Sequence, residues 1–181
     1  MSLHADARAV LTGWDPPDQA QDDLRARFLL HLSTHPDGML RRSRDHLTAS
    51  AIVVEPATGR VLLTFHRKAK RWLQLGGHCE EHDPTLAAAA LREATEESGI
   101  EDLVIDPAPI QLSHHEVPFC GRVQPAYHLD VQFLVTCSRD PVGKPGDGAD
   151  HVVWFDPSVL PADADDAVRT LVDRAATRLH G

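Results

Sequence analysis

Cysteine is scarce in this chain. Cys79, Cys120 and Cys137 are the only three among 181 residues. An odd number without framework spacing excludes a disulfide-stapled secreted fold and points to a reducing compartment. A cationic excess is lacking too: 18 Lys+Arg stand against 27 acids, a net charge of −9. Duplex nucleic acid and anionic membranes need an overall positive field, so both are disfavoured as partners. No uninterrupted apolar run approaches membrane-spanning length. The opening MSLHADARAV has no charged start followed by an apolar stretch. It is therefore not read as a signal peptide, and the expected location is cytoplasmic. Internal repeats and low-complexity segments are also missing.

What is present is an ordinary globular composition, 42% hydrophobic and 25% charged. The length suits one domain able to bury ~70% of its unfolded surface. Two regions are expected. Residues 1–45 read as a helical extension, with Leu24, Phe28, Leu29 and Leu32 at helical spacing and Pro36-Asp37-Gly38 as the stop. It holds no chemical constellation and is read as a packing element, or one that could support a homodimer. Residues 46–181 change character. Ala51–Glu55 and Val61–Phe65 flank the turn residues Pro56-Ala57-Thr58-Gly59 and predict a β-hairpin. Trp72–Leu75 predicts a short extended piece. Asp83 and Pro84 predict a helix start, as cap and first helical residue, and Gly99 its left-handed stop. Leu103–Leu112 reads as extended, interrupted by Pro107 and Pro109. Tyr127–Cys137 and His151–Phe155 read as strands, and Val168, Leu171, Val172, Ala175, Ala176 and Leu179 as the stripe of a final helix. Without regular βαβ alternation, the class is α+β, or an α/β sandwich with a mixed sheet.

The chemistry concentrates in GGHCEEHDPTLAAAALREATEESGI, residues 76–100. On a helix Glu93, Glu96 and Glu97 share one face, being three and four residues apart. Like charges there destabilise each other and call for a counter-charge. Arg92 supplies part, and a hard divalent cation would supply more. Gly76 and Gly77, read as a loop before the helix, let backbone carbonyls approach such an ion. A solvated acidic face is the bland alternative, but the flanking glycines fall where a loop–helix–loop metal site needs them.

This segment resembles the signature of the Nudix hydrolases, Gly-x5-Glu-x7-Arg-Glu-U-x-Glu-Glu-x-Gly-U with U aliphatic. Gly77 matches the first glycine, and Arg92, Glu93, Ala94, Glu96, Glu97, Gly99 and Ile100 match the second half. Asp83 stands where the family has Glu, with eight residues instead of seven before Arg92. A capping role is assigned to it. Trp72–Gly77 also resembles the family's lead-in. The resemblance implies an α/β/α sandwich and Mg²⁺- or Mn²⁺-dependent hydrolysis of a nucleoside diphosphate linked to a group X. Carried over, Glu93, Glu96 and Glu97 would be metal ligands, the Gly76 carbonyl a further one, and Arg92 the residue that orients the glutamates. Two other readings stay open. A non-catalytic ligand sensor on the same fold would be expected to lose signature carboxylates, which this chain keeps. An isopentenyl diphosphate isomerase would need a cysteine motif that has no match here.

Further residues are candidates for substrate contact. Arg67 and Lys68 belong to a basic run, 66–71, beside the proposed metal loop. Trp72 could stack on a base, and His128 and Asp130 lie on the polar face of the Tyr127 strand. Asp147, with Asp150, stands in the loop where some family members place an extra acid. His78, Cys79 and His82 have zinc-like spacing but no second pair nearby, so zinc is set aside. The expected partner is a small nucleotide or other diphosphate. Selectivity is expected in segments 66–71, 114–126 and 141–150.

Overall fold

A computed structural model describes residues 1–118, 120, 124–137 and 151–181. Two N-terminal helices, α1 (Leu3–Gly13) and α2 (Gln19–Thr34), are each capped by a side chain. Ser2 accepts from the Ala5 amide and Asp18 from the Gln21 amide. The strands follow: β1 (His46–Val54), β2 (Val61–His66), β3 (Arg71–Leu73) and β4 (Leu75–His78). After α3 (Leu86–Ser98) come β5 (Leu103–Glu116), β6 (Tyr127–Cys137), β7 (Val152–Phe155) and α4 (Asp166–His180).

The sheet is mixed and runs β3-β2-β1-β6-β5, with β4 also paired to β1 and β7 to β2. β1 and β6 are parallel, with His46 opposite His128 and Thr48 opposite Asp130. Every residue of β1 is buried, as suits a strand covered on both faces. Alternation along β1 then assigns two cores. Leu47, Ala49, Ala51 and Val53 meet Leu86, Ala89, Ala90 and Ala94 of α3 together with Ala7 and Leu11 of α1 and Phe28 and Leu32 of α2. Ile52 and Val54 meet Val168, Leu171, Val172 and Ala175 of α4. The result is the expected α/β/α sandwich. The apolar stripe of α2 is spent on this chain's own core.

Two contacts fasten the N-terminal helices further. Gln21 makes a two-way bond with the backbone of Leu112 on β5: its Oε1 accepts from the amide at 2.6 Å and its Nε2 donates to the carbonyl at 3.1 Å. An edge strand's open backbone is thereby paired. Asp6 on α1 accepts the Leu86 amide at 2.8 Å, satisfying a free N–H at the start of α3.

Local expectations need three corrections. The Trp72–Leu75 piece is two strands, β3 and β4, divided at Gln74. Gly76 and Gly77 lie in β4, paired with Ser50 and Ala49, and not in a loop. Without side chains they can be sandwiched between β1 and α3. The cap of α3 is Thr85, whose hydroxyl accepts from the Ala88 amide, so Pro84 precedes the helix. Gly99 closes it with φ 69° as expected. Pro109 falls at register shifts in β5, an edge-strand irregularity that tolerates its missing amide N–H.

Candidate active site

α3 lies across β4, and this crossing builds the site. The carboxylate of Glu93 sits over Gly77: a Cβ there would stand 2.6 Å from Glu93 Oε2. Gly76 adopts φ 151°, and a Cβ there would stand 2.3 Å from Ser50 Cβ. Its amide donates to Glu97 Oε2 at 3.1 Å. Each glycine thus has a separate steric reason, one toward the helix and one toward β1.

Arg92 organises the acids. Its Nε and Nη2 donate to the two oxygens of buried Asp83, both at 3.0 Å, a bidentate fork. Nη1 reaches Glu93 at 2.9 Å and Glu96 at 3.3 Å, and Nη2 also reaches the His78 carbonyl at 3.0 Å. Asp83 accepts the Glu80 amide at 2.7 Å as well. The capping role assigned to Asp83 is therefore wrong: its carboxylate is spent on Arg92 and on its own loop. Burial would raise the Asp83 carboxyl, but the Arg92 hydrogen bonds hold it below its ordinary value.

The glutamates differ. Glu96 is exposed. Burial raises Glu93, against the pull of Arg92. Burial pushes Glu97 up to about 7, only partly opposed by the Gly76 amide. Half-buried Glu93 thus shares with Asp83 and Glu96 the one Arg92 guanidinium, and half-buried Glu97 is met by the Gly76 amide instead. Hard oxygen donors in that electrostatic position fit a divalent cation of the Mg²⁺ or Mn²⁺ type. Glu93, Glu96 and Glu97 could hold it, and the backbone of Gly76 is bonded to Glu97.

The other nominated residues divide. Asp130 is buried on the sheet and accepts from Thr48 at 2.8 Å, Ser50 at 2.7 Å, Gln74 at 3.2 Å and Gln132 at 2.8 Å. His128 lies two residues earlier on the same face, among His46 and His78, with ring centroids 4.8 and 5.3 Å away. Burial lowers His128 to about 3 and His78 to about 4. Trp72, half-buried, packs edge-on to Phe65 and Phe155 at 5.4 and 4.9 Å. Arg67 and Lys68 are exposed between β2 and β3. Asp147 and Asp150 lie outside the described residues.

Sequence reasoning missed Asp83 as the partner of Arg92, and His46, Ser50 and Thr48 as parts of the polar floor. The alternation His46-Thr48-Ser50 along β1 was the available signal. Its partners on β6 come from 80 or so residues away, and only pairing brings them together.

The family model for the NUDIX domain matches residues 44–175. No curated protein matches the chain. Among solved structures, a NUDIX-family hydrolase from Clostridium perfringens is 23% identical with a TM-score of 0.63, over 74% of this chain and 97% of that one. The E. coli dihydroneopterin triphosphate pyrophosphohydrolase is 17% identical with a TM-score of 0.60, over 73% and 95%. A C. elegans Ap4A hydrolase in a binary complex is 17% identical with a TM-score of 0.59, over 75% and 98%. These likenesses establish the fold. With the NUDIX model covering most of the chain and the signature helix laid against its glycine strand, this protein belongs to the NUDIX hydrolase family.

Proposed function

We propose that the chain hydrolyses a phosphoric anhydride in a small nucleoside diphosphate-X type molecule, using Mg²⁺ or Mn²⁺ held by Glu93, Glu96 and Glu97. The observation that carries this reading is the pair of half-buried carboxylates, Glu93 and Glu97, set against the glycines of β4 with too little counter-charge. When bound, the metal would neutralise the diphosphate and lower the pKa of an attacking water. The chain's own residues do the positioning. Asp83 fixes Arg92, Arg92 fixes Glu93 and Glu96, and the Gly76 amide fixes Glu97. Glu97, raised by burial while no ion is bound, would give up its proton on taking the metal.

The polar floor of Asp130, Ser50, Thr48 and Gln74 is the favoured substrate surface, and exposed Arg67 and Lys68 the favoured steering charges. The substrates named for the structural neighbours, dihydroneopterin triphosphate and Ap4A, belong in the first panel to be screened. Phosphate and pyrophosphate release is measured with and without Mg²⁺. Glu97→Gln is expected to lower kcat by about 10²–10⁴-fold. Full metal-dependent turnover by that variant on every accepted substrate would overturn the assignment. Ligand binding without any turnover across the panel would favour the sensor reading instead.

A further inference from the structure

Away from the glutamate helix, the sheet gathers a second set of ligand atoms. His46 on β1, His78 at the end of β4, His128 on β6 and Cys120 between β5 and β6 each offer one, and these all lie within 4.8 Å of one another. Among the described residues no other group of three or more His, Cys, Asp or Glu does so. The donors are borderline to soft, unlike the oxygen set on α3.

We propose that His46, His78, His128 and Cys120 form a tetrahedral binding site for a zinc ion, distinct from the Mg²⁺/Mn²⁺ position on α3. Four observations carry it. First, the imidazole Nε2 atoms of His46 and His128 are buried without a hydrogen-bond partner. Orphaned buried polar atoms are rare and call for an explanation, of which a bound ion is one. Second, His46 Nδ1 lies 2.9 Å from the Ser43 carbonyl. That places the proton on Nδ1 and leaves the Nε2 lone pair free, the outer-sphere arrangement that metal-bound histidines use. Third, His78 Nε2 and Cys120 Sγ are 3.6 Å apart. Ordinary Zn–N and Zn–S bond lengths give a tetrahedral N···S edge of about 3.6 Å and N···N edges of about 3.3 Å. One edge is already at its bound length, and side-chain closure sets the others.

The fourth observation is charge. Asp130 is buried two residues from His128 on the same face, and its four donors, Thr48, Ser50, Gln74 and Gln132, are all neutral. Arg41 is the cation whose charge reaches all three histidines, and Asp130 is a buried acid on the same sheet face. On binding, the Cys120 thiol would release its proton to solvent. The complex of Zn²⁺ with three neutral imidazoles and one thiolate then carries a single positive charge, on the sheet face that also holds Asp130.

Four protein ligands leave no open position, which marks a structural ion and not a second catalytic one. It would tie three strands and the β5–β6 connection together at one end of the sheet. His78 follows Gly77 directly, so the ion would also hold β4 where its glycines meet Glu93 and Glu97. The inference stands on these four residues and does not depend on the hydrolase reading.

The test is metal analysis of the purified full chain, without any substrate. One equivalent of zinc per chain is expected after desalting, undiminished by excess Mg²⁺. A strong chelator should lower the Tm, and Zn²⁺ but not Mg²⁺ should restore it. Loaded with Co²⁺, the protein should show the visible bands of a tetrahedral site and a near-ultraviolet thiolate charge-transfer band. Cys120→Ser should lose the charge-transfer band, and Cys137→Ser should keep it. His46→Gln should weaken zinc affinity by about 10-fold or more. No zinc retained and no cobalt spectrum in the wild type would overturn the proposal. So would an unchanged thiolate band in Cys120→Ser. Should a variant fail to fold, the wild-type chelation and cobalt arms decide alone.

Discussion

Arg92 spreads one guanidinium over Asp83, Glu93, Glu96 and the His78 carbonyl. Its planar fork is what allows this, and lysine could not reproduce it. Asp83→Asn keeps the shape and removes the charge. It is expected to cost about 2 kcal/mol, or roughly 4–8 °C in Tm, because the half-buried Arg92 guanidinium loses the charge of its bidentate partner. Calorimetry checks this. The Asp83 carboxyl is held below its ordinary value when folded, so its contribution is complete above its unfolded pKa and fades as pH falls through the folded one. Glu97 has the opposite sign. Its folded pKa is raised to about 7, so the chelated protein loses stability as pH climbs from the ordinary glutamate range through that value. Subtracting the Tm-against-pH curve of Glu97→Gln from that of the wild type should expose this slope. Added Mg²⁺ should raise the wild-type Tm more at pH 8 than at pH 6, since it competes with the proton for the same carboxylate.

Between α3 and β4, adjacent glycines do different work, and two alanine substitutions should separate them. Gly77→Ala pushes its Cβ into the Glu93 carboxylate, the far end of a side chain. It should fold and lose about 10²-fold in kcat, comparable to losing one positioned catalytic group. Gly76→Ala meets the Ser50 Cβ and the Ala49 carbonyl and sits at φ 151°. It should destabilise by about 3 kcal/mol or more, read as a fall in the denaturant midpoint, because backbone and β1 must shift. At this scale the sequence was partly legible. Periodicity located β6 and α4, and Gly99 marked the stop of α3, because those signals are local. Asp83 and Pro84 looked like a helix start for equally local reasons. Thr85 took the cap because Asp83 had a stronger acceptor's role with Arg92, nine residues on.

For the whole molecule, the family match begins at residue 44, yet the core does not. Leu11, Trp14, Phe28 and Leu32 share one apolar cluster with α3 and the sheet, and Asp6 bonds the first amide of α3. Deleting residues 1–43 should therefore expose a large part of one core face, at about 1.5–3 kcal/mol for each large side chain uncovered. The truncated chain is expected to aggregate, or to melt well below the full chain. An unchanged Tm would mark the first helices as a dispensable attachment. None of the helices among the described residues is long and apolar enough to cross a membrane. The sequence by itself determined most element types and the acidic face of α3, since each follows from spacing within a single segment, while the α/β/α layering was implied by the resemblance to the Nudix family. Tertiary structure decided which residues meet across segments: Asp83 under Arg92, Asp130 under Thr48 and Ser50, and three histidines beside Cys120. Strand order and register set those meetings, and no spacing along the chain encodes how β1 lies beside β6.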